Sequence, residues 1–146
     1  MKLTEITDQW LSDSVIDELN LGREATRVPL LHSKYLTLLS KAKLQLRKAE
    51  SDYLNTRRLL YRYYRGEMTL EELQEREWHQ YQGNKPLKAE MDEFLQGNSE
   101  LIELVDKVEY FKTVIYTLEQ ILRSINSRTW DIKSAIEYTK FTNGAF

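Results

Sequence analysis

Two stretches of this chain place apolar side chains at alternating intervals of three and four residues. In the first, Tyr35, Leu39, Ala42, Leu46, Ala49, Tyr53, Thr56, Leu60 and Tyr63 keep the alternation for four heptads, with Thr56 the polar member. In the second, Leu101, Leu104, Val108, Phe111, Ile115, Leu118, Leu122, Ile125, Thr129, Ile132 and Ile136 keep it for five. A 3.5-residue repeat holds its members along one side of an α-helix, whereas a strand repeats every two residues. The spacing therefore predicts one helix over about 33–65, roughly 50 Å long, and a second over about 99–140.

The remaining segments read as shorter pieces of the same all-α fold. Residues 1–31 offer short helices: one capped by Thr4 and running to Leu11, another from Asp13 or Ser14 to Val28, where Pro29 is expected to stop it. Gly66 suits the position just past the end of the first long helix. In 67–97, Thr69 with Glu72 three residues later forms a capping-box pattern. Gln82-Gly83-Asn84-Lys85-Pro86 reads as a turn with Pro86 opening a second acidic helix that ends at Gly97. The expectation is a single helical domain over 1–146, its two long helices forming an antiparallel hairpin with short N-terminal and connector helices.

Ile102, Val105 and Trp130 lie off the second seam and widen its apolar surface. That surface is covered either within one bundle or against sister chains. The second course gives a homo-oligomer in which Phe111, Ile115, Leu118, Leu122, Ile125 and Ile132 are the candidate assembly residues.

Charge is distributed very unevenly. The net charge is −2 over 146 residues, yet 41–65 carry eight basic residues against Glu50 and Asp52, while 66–110 carry four basic and twelve acidic residues. A local field, rather than the sum, decides whether a phosphate backbone is attracted. The absence of cysteine removes disulfides and thiolate metal sites and fits a cytosolic protein. The N-terminal residues lack the apolar core of a signal peptide, and no apolar run reaches membrane-spanning length.

Catalysis has little to build on. His32 and His79 stand alone, Glu71-Glu72-Glu75 and Asp92-Glu93 come without a histidine or nucleophile at useful spacing, and phosphate-loop, hydrolase and zinc patterns are missing. No enzymatic activity, cofactor or metal is expected.

The most distinctive stretch is Arg57-Arg58-Leu59-Leu60-Tyr61-Arg62-Tyr63-Tyr64-Arg65. Arginine supplies a fixed charge and a flat guanidinium, and tyrosine a face for stacking, as in grooves that hold single-stranded nucleic acid. On a helical wheel with Arg57 at zero, Arg58, Arg62, Arg65 and Arg47 fall at about 80–140°, Lys43 and Tyr61 near 40°, and Leu60, Tyr64 and Tyr53 on the other side. Arg57, Arg58, Arg62, Arg65, Tyr61, Lys43 and Arg47 are the candidate nucleic-acid contacts. A solvated face whose cations pair with the acidic connector fits the same pattern. So does an adaptor coiled coil without a nucleic-acid role.

The same stretch carries a resemblance. The chain resembles the UvsY family of recombination mediators of T-even-like bacteriophages over nearly its whole length. The family pattern Leu-Lys-Ala-Arg-Leu-Asp-Tyr-Tyr-x-Gly falls on Arg57 to Gly66, with a basic residue matched by Arg58 and identities at Tyr63, Tyr64 and Gly66. Further carriers are Ile16-Asp17, Leu21, Glu24-Ala25, Ser33-Lys34-Tyr35-Leu36, Ser127-Arg128 and Ile132-Lys133. The family's second basic residue falls on Leu60 and its acidic residue on Arg62, so positive charge has moved two places along.

The resemblance implies an all-helical subunit in a hexameric or heptameric ring, with C-terminal helices contributing to assembly. It also implies single-stranded DNA binding, contact with a RecA-like recombinase and with the phage single-strand DNA-binding protein, and action in the cytoplasm of an infected bacterial host. The implied task is to help the recombinase displace that protein. Neither an enzymatic activity nor a membrane partner comes with the family.

Overall fold

The computed structural model describes residues 1–144. Among them are five helices and no strand: α1 (Leu3–Asp13), α2 (Leu21–Tyr64), α3 (Leu70–Arg76), α4 (Met91–Gln96) and α5 (Ser99–Thr142). No helix is long and apolar enough to cross a membrane. The fold class is the expected one, with two long helices packed together as the seams require.

Those residues form two compact units: Met1–Lys43 together with the chain from Lys112 onward, and Leu44–Phe111. In the first unit, α1 and the early turns of α2 pack on the later part of α5. Leu31, Tyr35 and Leu39 of α2 meet Val114, Leu118, Ile121 and Ile125 of α5, and Ile6 of α1 closes the cluster. Tyr35, Leu118 and Ile125 are wholly buried. The Trp10 ring meets the Tyr35 ring edge-on, 5.5 Å between centroids.

Two polar networks fix the ends of this unit. Asp13, the last residue of α1, accepts hydrogen bonds from Tyr35 Oη at 2.8 Å and Lys34 Nζ at 2.7 Å, and pairs with Arg27 at 3.1 Å. Burial pushes its carboxyl up, but the hydrogen bonds from Lys34 and Tyr35 and the nearby cations hold it below the ordinary value. Burial and the bond to Asp13 drive the Tyr35 hydroxyl well above its usual range. Arg128 of α5 is 3% exposed and donates to Glu24 Oε2 at 2.6 Å and to the carbonyls of Ser14 and Val15, both at 3.0 Å.

These contacts explain two corrections. α2 begins at Leu21 rather than near 33, and Pro29 lies inside it. An internal proline costs about 3 kcal/mol through a lost hydrogen bond and a clash with the preceding turn. The turns on either side are held independently, by Glu24 and Arg27 before Pro29 and by Leu31 and Tyr35 after it. Residues 14–20, expected to be helical, are instead the connection. Asp17 accepts from the Leu19 amide at 3.0 Å and from Asn20 Nδ2 at 2.8 Å, an Asx-type turn that competes with helix.

α1 also starts before Thr4, with Glu5 accepting from the Lys2 amide. Near the other end, the second seam slips by one position: Arg128 is buried and Thr129 exposed.

In the second unit, α2 ends at Tyr64, and Gly66 lies just past that end as expected, with a left-handed φ of 71°. The amides of Gly66 and Glu67 return to the Tyr63 and Arg62 carbonyls, closing a Schellman motif. Thr69 and Glu72 form the capping box of α3. The helix expected from Pro86 starts only at Met91, because Met91 and Leu95 are its anchors in the core, whereas Leu87 faces solvent. Asn98 Oδ1 caps α5 at the Glu100 and Leu101 amides and its Nδ2 donates to Tyr64 Oη at 3.1 Å. The start of α5 thus lies beside the end of α2, and the two run antiparallel.

Removing one member of a buried ion pair leaves the other charge stranded, at a cost of about 3–5 kcal/mol. Arg128→Ala is expected to lower the unfolding free energy by about 3 kcal/mol in urea denaturation, whereas Arg123→Ala, an exposed neighbour on α5, is expected to leave it unchanged.

Candidate nucleic-acid interface

The last turns of α2 divide their side chains between packing and charge. Leu60 is buried with Met91, Leu95 and Leu101, and Tyr53, Tyr61, Tyr63 and Tyr64 pack against that cluster. Tyr63 meets Tyr64, Trp78 and Tyr81 at centroid distances of 5.5, 5.3 and 5.8 Å, and its hydroxyl donates to the His79 carbonyl at 2.6 Å. Burial, followed by the nearby Tyr64 and Tyr81, raises the Tyr63 pKa. Tyr63 and Tyr64 are therefore packing residues, as the seam places the first and the wheel the second.

The arginines lie on the opposite side and meet the acidic connector. Arg62 forms a bidentate pair with Glu72 at 2.6 and 2.9 Å and donates to the Glu67 carbonyl at 3.1 Å. Arg57 pairs with Asp92 at 3.3 Å and Arg65 with Glu67 at 3.0 Å. Arg65 also lies over the Tyr61 ring, 5.7 Å from its centroid. Arg58 is exposed and has no hydrogen bond or ion pair among the described residues. Arg47 lies 3.8 Å from Glu50. Lys43 is exposed in the first unit.

Of the candidate contacts, the second unit thus gathers Arg57, Arg58, Tyr61, Arg62 and Arg65 on two turns of α2, with carboxylates already on three of the four arginines. Pairing with the acidic connector is the alternative that the sequence left open; which acids take part was hidden, because the partners lie up to 35 residues away. Lys85 and Lys88 were also hidden, within a segment that is strongly acidic as a whole. They line a groove with Tyr61 and Arg65. The signal that could have found them is local: Lys85-Pro86-Leu87-Lys88 contains no acid.

The candidate assembly residues have mostly intramolecular partners. Leu118, Leu122 and Ile125 belong to the first unit's core, Ile115 packs against it, Ile132 is 2% exposed, and Phe111 is half-buried. Ile102, Val105, Tyr116 and Trp130 are exposed. Among the described residues, no group of three or more His, Asp or Glu side chains is placed to hold a metal ion.

Arginines and tyrosines are thus divided between the two sides of one helix end. The chain belongs to the family described as recombination, repair and ssDNA binding protein UvsY, whose model matches residues 9–145. Among solved structures, it is similar to crystal structures of the bacteriophage T4 recombination mediator protein UvsY. In lattice type II the TM-score is 0.82 at 22% identity, covering 98% of both chains. Lattice type IV gives 0.78 at 21%, covering 97% of this chain and 99% of the other, and lattice type I gives 0.77 at 20%, covering 94% and 98%. The likeness at these identities is one of fold. No curated protein sequence matches the chain.

The Arg62–Glu72 pair gives a pH signature. The hydrogen bond from Arg62, followed by the one from the Thr69 amide, lowers the Glu72 pKa from 4.5 to about 2. The same bond raises the pKa of Arg62. A carboxyl with a depressed folded-state pKa contributes stability that is complete above its unfolded value and disappears as pH falls through the folded one. Between about pH 4.5 and 2, wild type is expected to lose stability more steeply than Glu72→Gln. Parallel acid-denaturation curves for the two proteins would contradict the pairing.

Proposed function

We propose that this chain is a recombination mediator: it binds single-stranded DNA through the basic side of α2 and helps a RecA-like recombinase onto strands held by the phage single-strand DNA-binding protein. It does so as a homo-oligomer, a hexameric or heptameric ring, in the cytoplasm of the infected bacterial host. Family membership supports the DNA-handling role. The observation that carries the site is Arg58, an exposed guanidinium without a counter-ion among the described residues, between arginines that have one.

A phosphate displaces only water and ions from Arg58, whereas it must displace a carboxylate from Arg57, Arg62 or Arg65. Arg58 is thus the first contact, and the paired arginines respond to release of their acids. Arg62 takes the role of the family's displaced basic residue only after letting go of Glu72. Leu60, at the family's basic position, is buried and has no DNA role.

A labelled oligothymidylate titrated across a salt series tests the site. Arg58→Ala is expected to weaken binding and lower the log–log salt slope by about 0.7, the contribution of one phosphate on a single strand. An unchanged slope removes Arg58 from the interface. Glu72→Gln with Asp92→Asn, which frees Arg62 and Arg57, is expected to tighten binding, most strongly at low salt. Addition of the chain to recombinase and precoated single strands is expected to shorten the lag of filament assembly, and Arg58→Ala to shorten it less. Absence of oligonucleotide binding by the wild type at low salt would instead favour an adaptor coiled coil.

A further inference from the structure

We propose that the groove between the end of α2 and the 85–91 segment is a nucleotide subsite of the single-stranded DNA, holding one base against Tyr61 and the adjoining phosphate between Lys85 and Lys88. The proposal rests on the DNA-binding reading above and extends it from a helix face to a defined pocket.

The groove has a volume of about 460 Å³, within the few-hundred to thousand cubic ångström range of small-ligand sites. Its charged lining is wholly cationic, supplied by Arg65, Lys85 and Lys88, with Pro86, Leu87 and Met91 as its apolar part. This is unusual in its surroundings. The groove beside Arg57 is also lined by Asp92 and Asp106, and the one beside Thr56 mixes Asp52, Glu100 and Glu103 with Arg76 and Lys107. Among the described residues, Glu67 is the one carboxylate engaged with this cation set, through Arg65 Nε at 3.0 Å. Neither Lys85 nor Lys88 has an ion pair or hydrogen bond among the described residues.

The chemistry that fits is an anion joined to a flat ring. Lysine ammonium groups bind phosphate as point charges, and Tyr61, already flanked by the Arg65 guanidinium, offers an aromatic surface without sequence preference. The position of Lys85 is defined as well: a side chain at Gly66 would touch its Cε at 3.5 Å, so its stem crosses the end of α2. Arg58 and Arg65 lie two turns apart on one side of the helix, roughly 10 Å along its axis. A strand contacting Arg58 therefore reaches the groove within a few nucleotides.

A purely structural Lys85, placed at the negative end of the α2 dipole, would act on stability alone. The test is Lys85→Ala with Lys88→Ala, both exposed positions outside the core, titrated with oligothymidylate over a salt series beside wild type and Arg58→Ala. The pair is expected to lower the log–log slope by about 0.7, the contribution of the one phosphate held between them. Tyr61→Leu is expected to weaken binding roughly tenfold, with Tyr61→Phe close to wild type. A lowered melting temperature with an unchanged slope for the lysine pair, alongside a reduced slope for Arg58→Ala, would overturn the groove and leave the α2 site standing. No binding by wild type would overturn both. In wild type, photocrosslinking of a 5-iodouracil oligonucleotide is expected to label Tyr61; labelling confined to other residues would overturn the base-stacking assignment.

Discussion

A helix of 44 residues with an apolar stripe along it needs a matching stripe to cover it. Most helical stability in water comes from packing rather than from intrinsic propensity. α2 and α5, each 44 residues long, meet that need in one another. The seams place Tyr35, Leu39 and Ala42 with Leu118, Leu122 and Ile125 in one unit, and Leu60 with Leu101 in the other. The candidate site is attached to this pairing. The arginines of α2 point away from it because Leu60, Tyr63 and Tyr64 point into it. The connector is held at the same end of α2 because Met91 and Leu95 complete that core.

Such a seam is legible in a sequence because its signal is local and periodic. The failures share an opposite origin. Pro29 sits inside α2 because Glu24 is held by Arg128, 104 positions away, so no window around the proline contains its compensation. Arg128 itself breaks the polar-out expectation, since a long cation can be buried when Glu24 and two carbonyls accept from its two terminal nitrogens. Thr129 therefore lost its predicted place in the seam. The expected start of α4 at Pro86 followed a sound local rule, but the helix forms only where Met91 and Leu95 supply packing.

The candidate site was legible in part for the same reason. Helical phase separates Arg58 and Arg62 from Leu60, and the structure keeps that separation. Phase does not reveal which cations have partners. Glu72 and Asp92 lie 10 and 35 residues from the arginines they meet, and only the folded connector brings them close. Lys85 and Lys88 joined the inventory for a related reason, because averaging over an acidic segment hides a short basic one. The C-terminal seam was expected to serve assembly; most of its side chains are taken up by the chain's own core, while Tyr116 and Trp130 are exposed.

The pattern of paired and unpaired cations bears on how the proposed mediator would hold and release a strand. A phosphate that replaces a carboxylate on Arg62 exchanges one charge-assisted bond for another, so the net gain is a fraction of either. Arg58, Lys85 and Lys88 have no such competitor and would supply most of the attraction. Each contact remains exposed to salt, and the acids stay covalently tethered nearby, ready to reclaim their arginines as phosphates leave. Release then proceeds one contact at a time rather than as a single large barrier, which suits a protein whose proposed task ends in giving its strand away. Avidity across sister chains would retain the strand meanwhile, because a freed segment stays at high effective concentration until the recombinase takes it.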